Sequence, residues 1–271
     1  MNIASHFRVK PASAMSLGRF DTDATPGVKD KAAALNQLSR DVERLAELQY
    51  TLFAENRRSV LIVLQAMDAA GKDGVVRHVL SGLNPQGCRV TSFKVPAGEE
   101  RTHDFLWRIH RQVPAHGEIG VFNRSHYEDV LVARVHNLVP EPVWKARYAH
   151  INAFEKMLVD SGTTICKFFL HVGRKEQLKR LATRLDDPAR NWKVAEADFT
   201  ERGYWKDYVK AYEEVLERCS TPWAPWHVIP ADHKWYRNYA VSEVLRQTLE
   251  SMDLRLPKPA VDITALKKKY G

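Results

Sequence analysis

Ser59-Val-Leu-Ile-Val-Leu-Gln-Ala-Met-Asp68-Ala-Ala-Gly71-Lys72-Asp73-Gly74-Val-Val-Arg77 runs from a β-rich apolar stretch through a turn of small residues into an amphipathic one. An apolar run this short, with β-branched residues, has the pattern of a buried central strand. Small residues in the following turn let successive backbone N–H groups face an anion, and a helix N-terminus adds its positive dipole end. Lys72 then supplies a mobile point charge. The segment therefore predicts a phosphate loop between a strand and a helix, and with it an α/β fold. The strict spacing G-x-x-x-x-G-K-[ST] is missed twice, because Ala66 stands at the first glycine and Asp73 at the hydroxyl. Pattern alone would also suit a surface turn, since Gly, Asp and Lys are common there. The strand before and the helix after favour the loop. Without a hydroxyl at 73, a cation must be held differently, and Asp68 is the carboxylate placed to help; a turn or capping role is its plainer alternative.

Working outward, Lys29 to Glu55 carries Leu35, Leu38, Val42, Leu45, Leu48 and Leu52 at helical spacing. Weaker strand patterns span 89–95, 117–122, 163–172 and 226–229, and helical patterns span 75–83, 99–113, 127–138, 143–160, 175–185, 199–218 and 234–252. Strands alternating with helices predict a five-stranded parallel, doubly wound sheet covered on both faces. All 271 residues read as one domain, with an irregular arm at 1–28 and a tail at 254–271.

The formal net charge of +8 and pI near 9.3 point to a polyanionic partner. No nucleic-acid-binding motif is visible, so nucleic acid is not the expected partner. The first ten residues lack a secretory signal, and the longest apolar run, Val60 to Met67, is too short to span a bilayer. A cytoplasmic protein without membrane attachment is expected. Cys88, Cys166 and Cys219 lie far apart in apolar segments and read as buried and reduced. His103 and His110 lack zinc-ligand spacing and suit packing or substrate contact. Trp223, Trp226 and Trp235 suit packing.

A second motif, Asn123-Arg-Ser-His-Tyr-Glu128-Asp129-Val130, follows the third strand. Ligands of open α/β sheets sit at the carboxyl ends of strands, so this junction should face the crevice of Lys72. Arg124 could pair with phosphates, and Glu128 and Asp129 could bind a cation. Acids are also favoured in a first helical turn without any such role. Arg184-Leu-Asp-Asp-Pro-Ala-Arg190-Asn-Trp-Lys193 follows a basic helix and has the composition of a mobile lid, here placed at about 184–205, although a solvated helix connection reads similarly.

Together these segments resemble the polyphosphate kinase 2 family, and most closely its class III subgroup, which phosphorylates nucleoside mono- and diphosphates. The resemblance rests on Leu64-Gln-Ala-Met-Asp-Ala-Ala-Gly-Lys-Asp-Gly74, Asn84-Pro-Gln-Gly87 leading to Thr91-Ser-Phe-Lys94, His103-Asp-Phe-Leu-Trp-Arg-Ile-His110, Asn123 to Val130, and the lid Arg184 to Lys193. It implies a three-layer α/β/α fold similar to thymidylate kinase, with a helical lid, Mg²⁺ as cofactor with Mn²⁺ able to stand in, inorganic polyphosphate as donor, AMP, ADP and ATP as nucleotides, and a homo-oligomer, dimer or tetramer. Ala66 and Asp73 agree with the subgroup. Glu128 stands where other subgroups usually lack glutamate, a difference associated with monophosphate use.

The expected reaction is reversible transfer of phosphate from polyphosphate to AMP and ADP, a polyphosphate:nucleotide phosphotransferase. Catalysis of this kind is alignment and charge neutralisation. The catalytic candidates are Asp68, Lys72, Arg124, Glu128 and Arg184. Phosphate contacts are expected from Ala69, Ala70, Gly71, Lys72, Asp73, Gly74, Arg77, Lys94, Asn123, Arg124, Arg184 and Lys193. Asp68, Glu128 and Asp129 are the metal candidates. Arg174, Lys179, Arg180 and Arg190 are further candidates for the donor's path. An ATP-dependent nucleoside monophosphate kinase and a non-catalytic polyanion binder are the alternatives.

Overall fold

The computed structural model describes residues 1–189 and 191–271, with the backbone but not the side chain of Lys193. Five strands, β1 Ser59–Ala66, β2 Cys88–Ser92, β3 Ile119–Asn123, β4 Thr163–His171 and β5 Trp226–Pro230, form one parallel sheet in the order β2-β3-β1-β4-β5. β1 is central, with Leu64 opposite Asn123 of β3 and Gln65 opposite Phe169 of β4. Every β1 residue is buried. That is why its sequence is nearly continuous in apolar residues instead of alternating.

The helices are α1 Ile3–Phe7, α2 Lys31–Glu55, α3 Lys72–Val79, α4 Trp107–His110, α5 Val132–Val135, α6 Glu141–Asp160, α7 Arg174–Asp186, α8 Glu196–Thr200, α9 Trp205–Cys219, α10 Lys234–Ser251 and α11 Ile263–Tyr270. α2, α3 and α10 pack together over one face of the sheet, and α6 and α9 over the other. This is the three-layer arrangement the sequence predicts. β1 therefore leads to a helix on one face, while β3 leads toward α6 on the other. The crevice between their carboxyl ends is the switch point where α/β sheets bind ligands.

α2 starts where the Asp30 side chain accepts from the Ala33 N–H at 2.8 Å and ends at Asn56 in the left-handed region. Its Leu38, Leu45, Leu48 and Leu52 are buried as the stripe predicts, while Leu35 is exposed. Buried Asp41 ties the helix to α10 by accepting from Ser242 at 2.8 Å and Arg246 at 3.0 Å.

The arm at 1–28 is irregular apart from α1 and a short helical turn at Leu17–Arg19, and its Ile3, Phe7, Val9 and Leu17 join the core. Two expectations are corrected. The pattern at 99–113 breaks, because the Asp104 carboxylate accepts from the Leu106 N–H at 2.9 Å and starts a new turn before α4. The pattern at 127–138 also breaks: Arg147 donates to the Asp129 carbonyl at 2.8 Å, capturing the acceptor a continuous helix would offer to residue 133. Cys166 and Cys219 are buried and Cys88 is half-buried, all as free thiols. Trp226 is buried, whereas Trp223 is exposed. No helix among the described residues is long and apolar enough to cross a membrane.

Candidate active site

Two residues of the turn after β1 adopt positive φ, Ala69 at 60° and Gly71 at 106°. Buried side chains on two helices capture the carbonyls of this turn. Gln177 Nε2 donates to the Asp68 carbonyl at 3.1 Å, Arg180 Nη1 to those of Ala69 and Ala70 at 3.1 and 3.0 Å, and Arg237 Nη1 to that of Ala70 at 2.9 Å. In a planar trans peptide the N–H points opposite to the carbonyl. The N–H groups of Ala69 and Gly71 are thereby turned away from these clamps, while that of Ala70 closes on the Met67 carbonyl at 3.3 Å. The first N–H groups of α3, from Lys72 onward, add the unpaired donors of a helix start. An anion-binding nest results, shaped from below.

Lys72 Nζ folds back to the carbonyl of Ala66 at 3.1 Å. Asn123 donates to Asp73 at 2.9 Å, and Arg124, itself at positive φ, donates to Asp68 at 2.9 Å. The structure thus joins the two motifs that sequence placed on one crevice. Burial pushes the Lys72 ammonium below its ordinary pKa, as does Arg124, against the opposing fields of Asp68, Glu128 and Asp73. Burial likewise pushes the Glu128 carboxyl up, opposed by Arg124 and Lys72. Opposite charges gathered in a partly desolvated crevice, with Lys72 and Glu128 displaced toward neutrality, are characteristic of functional sites.

Two oxygen-rich carboxylates, Asp68 and Glu128, lie within this field. Magnesium is commonly held by one or two carboxylates with phosphates and water completing the shell, so the donor set fits the ion. Among the described residues no three His, Cys, Asp or Glu side chains converge on one point. Asp129, the third metal candidate, has its carboxylate 3.4 Å from Arg147 and 3.8 Å from Arg108, and its buried Oδ2 has no hydrogen-bond partner among the described residues.

Arg77, Lys94, Arg174 and Lys179 are exposed. Arg184 stands in the last turn of α7, 3.9 Å from Asp198. Arg180 is corrected from donor path to buried clamp, since its other nitrogen donates to the carbonyls of Ala231 and Asp232 at 2.6 and 2.7 Å. Arg190 and the Lys193 side chain lie outside the described residues. His103 stacks on Trp107 at 4.0 Å, and His110 meets the edge of Phe154 at 5.6 Å, consistent with packing.

Sequence reasoning missed several residues. Gln177 and Arg237 clamp the loop, and Tyr208 and Tyr212 of α9 form a wall. Burial, above all, raises both tyrosines, with Glu128 and Asp68 adding to it. Tyr204, Tyr208 and Tyr212 recur at one-turn spacing, a signal that could have found the wall. Behind it, fully buried Glu155 pairs with Lys167 and accepts from Tyr127 at 2.7 Å, with His126 at 3.2 Å. Lys167 also donates to Tyr127 at 2.8 Å and to the Cys219 carbonyl at 2.7 Å. This network fixes the turn that carries Arg124 and Glu128.

Residues 28–257 match the model of the polyphosphate kinase 2 family. The chain belongs to this family. This polyphosphate kinase 2 member is 52% identical over 254 residues to an AMP/ADP-polyphosphate phosphotransferase of Meiothermus ruber, covering 93% of this chain and 95% of the relative. It is 47% identical to an ADP-polyphosphate phosphotransferase of Rhodopseudomonas palustris, covering 93% and 91%. Its fold superposes on the crystal structure of Polyphosphate Kinase 2 from Arthrobacter aurescens with a TM-score of 0.96 at 46% identity, over 99% of this chain and 96% of that one.

Proposed function

We propose that the chain transfers a phosphoryl group from inorganic polyphosphate to AMP and ADP, forming ADP and ATP reversibly, with Mg²⁺ as cofactor. The carrying observation is the pairing of the nest at Ala69–Gly74 with the Arg124–Asp68 bridge, which sets a phosphate cradle and an acid side by side. The names of the relatives at 52% and 47% identity support donor and acceptors. Cytoplasmic location and a homo-oligomer, dimer or tetramer, belong to the same reading. Exposed Tyr50 and Phe53 on α2 offer apolar surface for assembly.

In the forward direction an oxygen of the acceptor's terminal phosphate attacks the terminal phosphorus of the donor. The bond from that phosphorus to the bridging oxygen breaks, and the donor leaves one phosphate shorter. The nest N–H groups and Lys72 hold the transferring phosphate, and Arg124 neutralises its equatorial oxygens. Asp68 anchors Arg124 and faces the acceptor; its role as a base is minor, because a terminal phosphate is largely ionised near neutrality. Glu128 orients the acceptor. Asp68 and Glu128, with Asp129 as the third candidate, would hold Mg²⁺, which would supply further neutralisation of phosphate charge. Tyr208 and Tyr212 exclude water from the crevice. Arg184 and the exposed cations Arg77 and Lys94, with Lys193, serve the polyanionic donor, whose binding should weaken with salt.

The test supplies purified protein with AMP or ADP, Mg²⁺ and long-chain polyphosphate, without ATP. ADP and ATP are the expected products. Turnover that requires ATP as donor would instead mark a nucleoside monophosphate kinase, and no turnover with any donor a polyanion-binding protein.

A further inference from the structure

Gln177 is 4% exposed and spends both ends of its carboxamide on two different parts of the molecule. Its Nε2 donates to the Asp68 carbonyl at 3.1 Å, at the entry to the phosphate loop. Its Oε1 accepts from the Arg202 guanidinium, which also donates to the Arg174 carbonyl at 3.2 Å. Arg202 lies in the short helical turn Glu201–Tyr204 that closes the lid region. Glu201 in the same turn accepts from Tyr208 at 2.8 Å and pairs with His136 at 3.1 Å. The lid's last turn is thus anchored on one side to an α9 tyrosine of the site wall, and on the other to the backbone of the loop.

An amide group is planar, so its acceptor and donor ends move together. A charged donor on Oε1 also polarises the group and strengthens donation from Nε2. An apolar side chain would fill the same buried space on α7 without either bond. We propose that Gln177 is a positioning residue that couples the lid to the phosphate loop: Arg202 orients its carboxamide, which fixes the Asp68 peptide and so turns the Ala69 N–H toward the donor phosphate. The coupling rests on the phosphotransferase function proposed above, but its structural half can be read without any substrate.

Hydrogen exchange of the loop amides Ala69 to Gly71 is measured first, in the substrate-free protein and in Arg202→Met. Arg202 is half-buried in the Glu201–Tyr204 turn and stands outside the hydrophobic core. Faster exchange in the variant is expected, together with an unchanged thermal midpoint; unchanged exchange overturns the coupling. Turnover is then measured for Arg202→Met, Gln177→Leu and the double variant. Each single change is expected to lower kcat about tenfold, the scale of ordinary coupling between sites. The double variant should be no slower than Gln177→Leu alone, and Arg202→Lys should recover part of the loss. Losses that multiply in the double variant overturn the proposal. Should Gln177→Leu fail to fold, Gln177→Glu keeps an acceptor for Arg202 but sets an acceptor against the Asp68 carbonyl. A wild-type rate in that variant overturns the proposal as well. A wild-type enzyme inactive with polyphosphate would instead reject the proposed function and leave the exchange result to decide the coupling.

Discussion

The Arg237 guanidinium occupies the space that a side chain at Gly71 would need: a Cβ there would stand 1.9 Å from Nη1. The same guanidinium holds the Ala70 carbonyl at 2.9 Å, and burial lowers its pKa to about 10. Gly71 is therefore required twice, for its φ of 106° and for the close approach of Arg237. Gly71→Ala is expected to cost about 1–3 kcal/mol of stability from backbone strain, beyond displacing Arg237, and to abolish most turnover. Gly74→Ala, whose Cβ would meet only the far end of the same side chain at 2.6 Å, should be milder. Denaturant unfolding and kcat of the two variants check the ranking, and equal losses would count against it.

Lys72 must carry its proton to hold a phosphate, and burial lowers its pKa. Activity that depends on the ammonium is present below that lowered pKa and lost as pH rises through it. The profile of kcat/KM for polyphosphate, which reports the free enzyme, should show an alkaline limb below the ~10.4 of an ordinary lysine. Lys72→Arg keeps its charge throughout this range, so its residual activity should lack the limb. Lys72→Met should be inactive at every pH. A limb that persists in Lys72→Arg would assign it to another group.

Glu128 shares its field with Asp68, Lys72 and Arg124. Glu128→Asn is expected to lower kcat/KM for AMP about tenfold or more relative to ADP, the size of one lost positioned contact. Parallel assays with the two acceptors decide it; AMP use that survives untouched would separate Glu128 from acceptor choice.

Lys167 and Glu155 are both fully buried and paired. Burial alone would raise the Glu155 carboxyl, yet Lys167 and His126 hold it below the usual carboxylate range. Its stabilising contribution is thus present above the unfolded pKa and lost as pH falls through the lower folded one. Lys167→Met strands a buried carboxylate and should destabilise by about 3–5 kcal/mol. Lys167→Met/Glu155→Leu should recover much of that, read by urea unfolding near neutral pH. A double variant as unstable as the single one would show that the cost lies in packing.

The fold was legible because β1 is buried on both faces, so burial and sequence coincide over Val60 to Leu64. The meeting of the Lys72 loop with Asn123 and Arg124 followed from the rule that ligands of open α/β sheets sit at the carboxyl ends of strands. The broken pattern at 127–138 was not legible, since Arg147 redirects a backbone bond only once the tertiary structure exists, whereas that at 99–113 breaks on a local Asp104 bond that apolar spacing does not record. Arg180 and Gln177 were misjudged or missed for a related reason. A basic or amide residue on an amphipathic helix looks solvent-facing, and only packing shows that its polar end reaches a carbonyl of the loop. Asp129 is similar: only packing brings Arg108 and Arg147, distant in sequence, beside its carboxylate.

A structure of the protein soaked with polyphosphate and ADP tests the central claim most directly. The donor's terminal phosphate should lie within hydrogen-bond reach of the Ala69 and Gly71–Gly74 N–H groups, with Lys72 turned from Ala66 onto it and the ADP phosphate beside Arg124. A polyphosphate chain bound on another surface, with the Lys72 ammonium left against Ala66, would contradict the assignment of the phosphate loop.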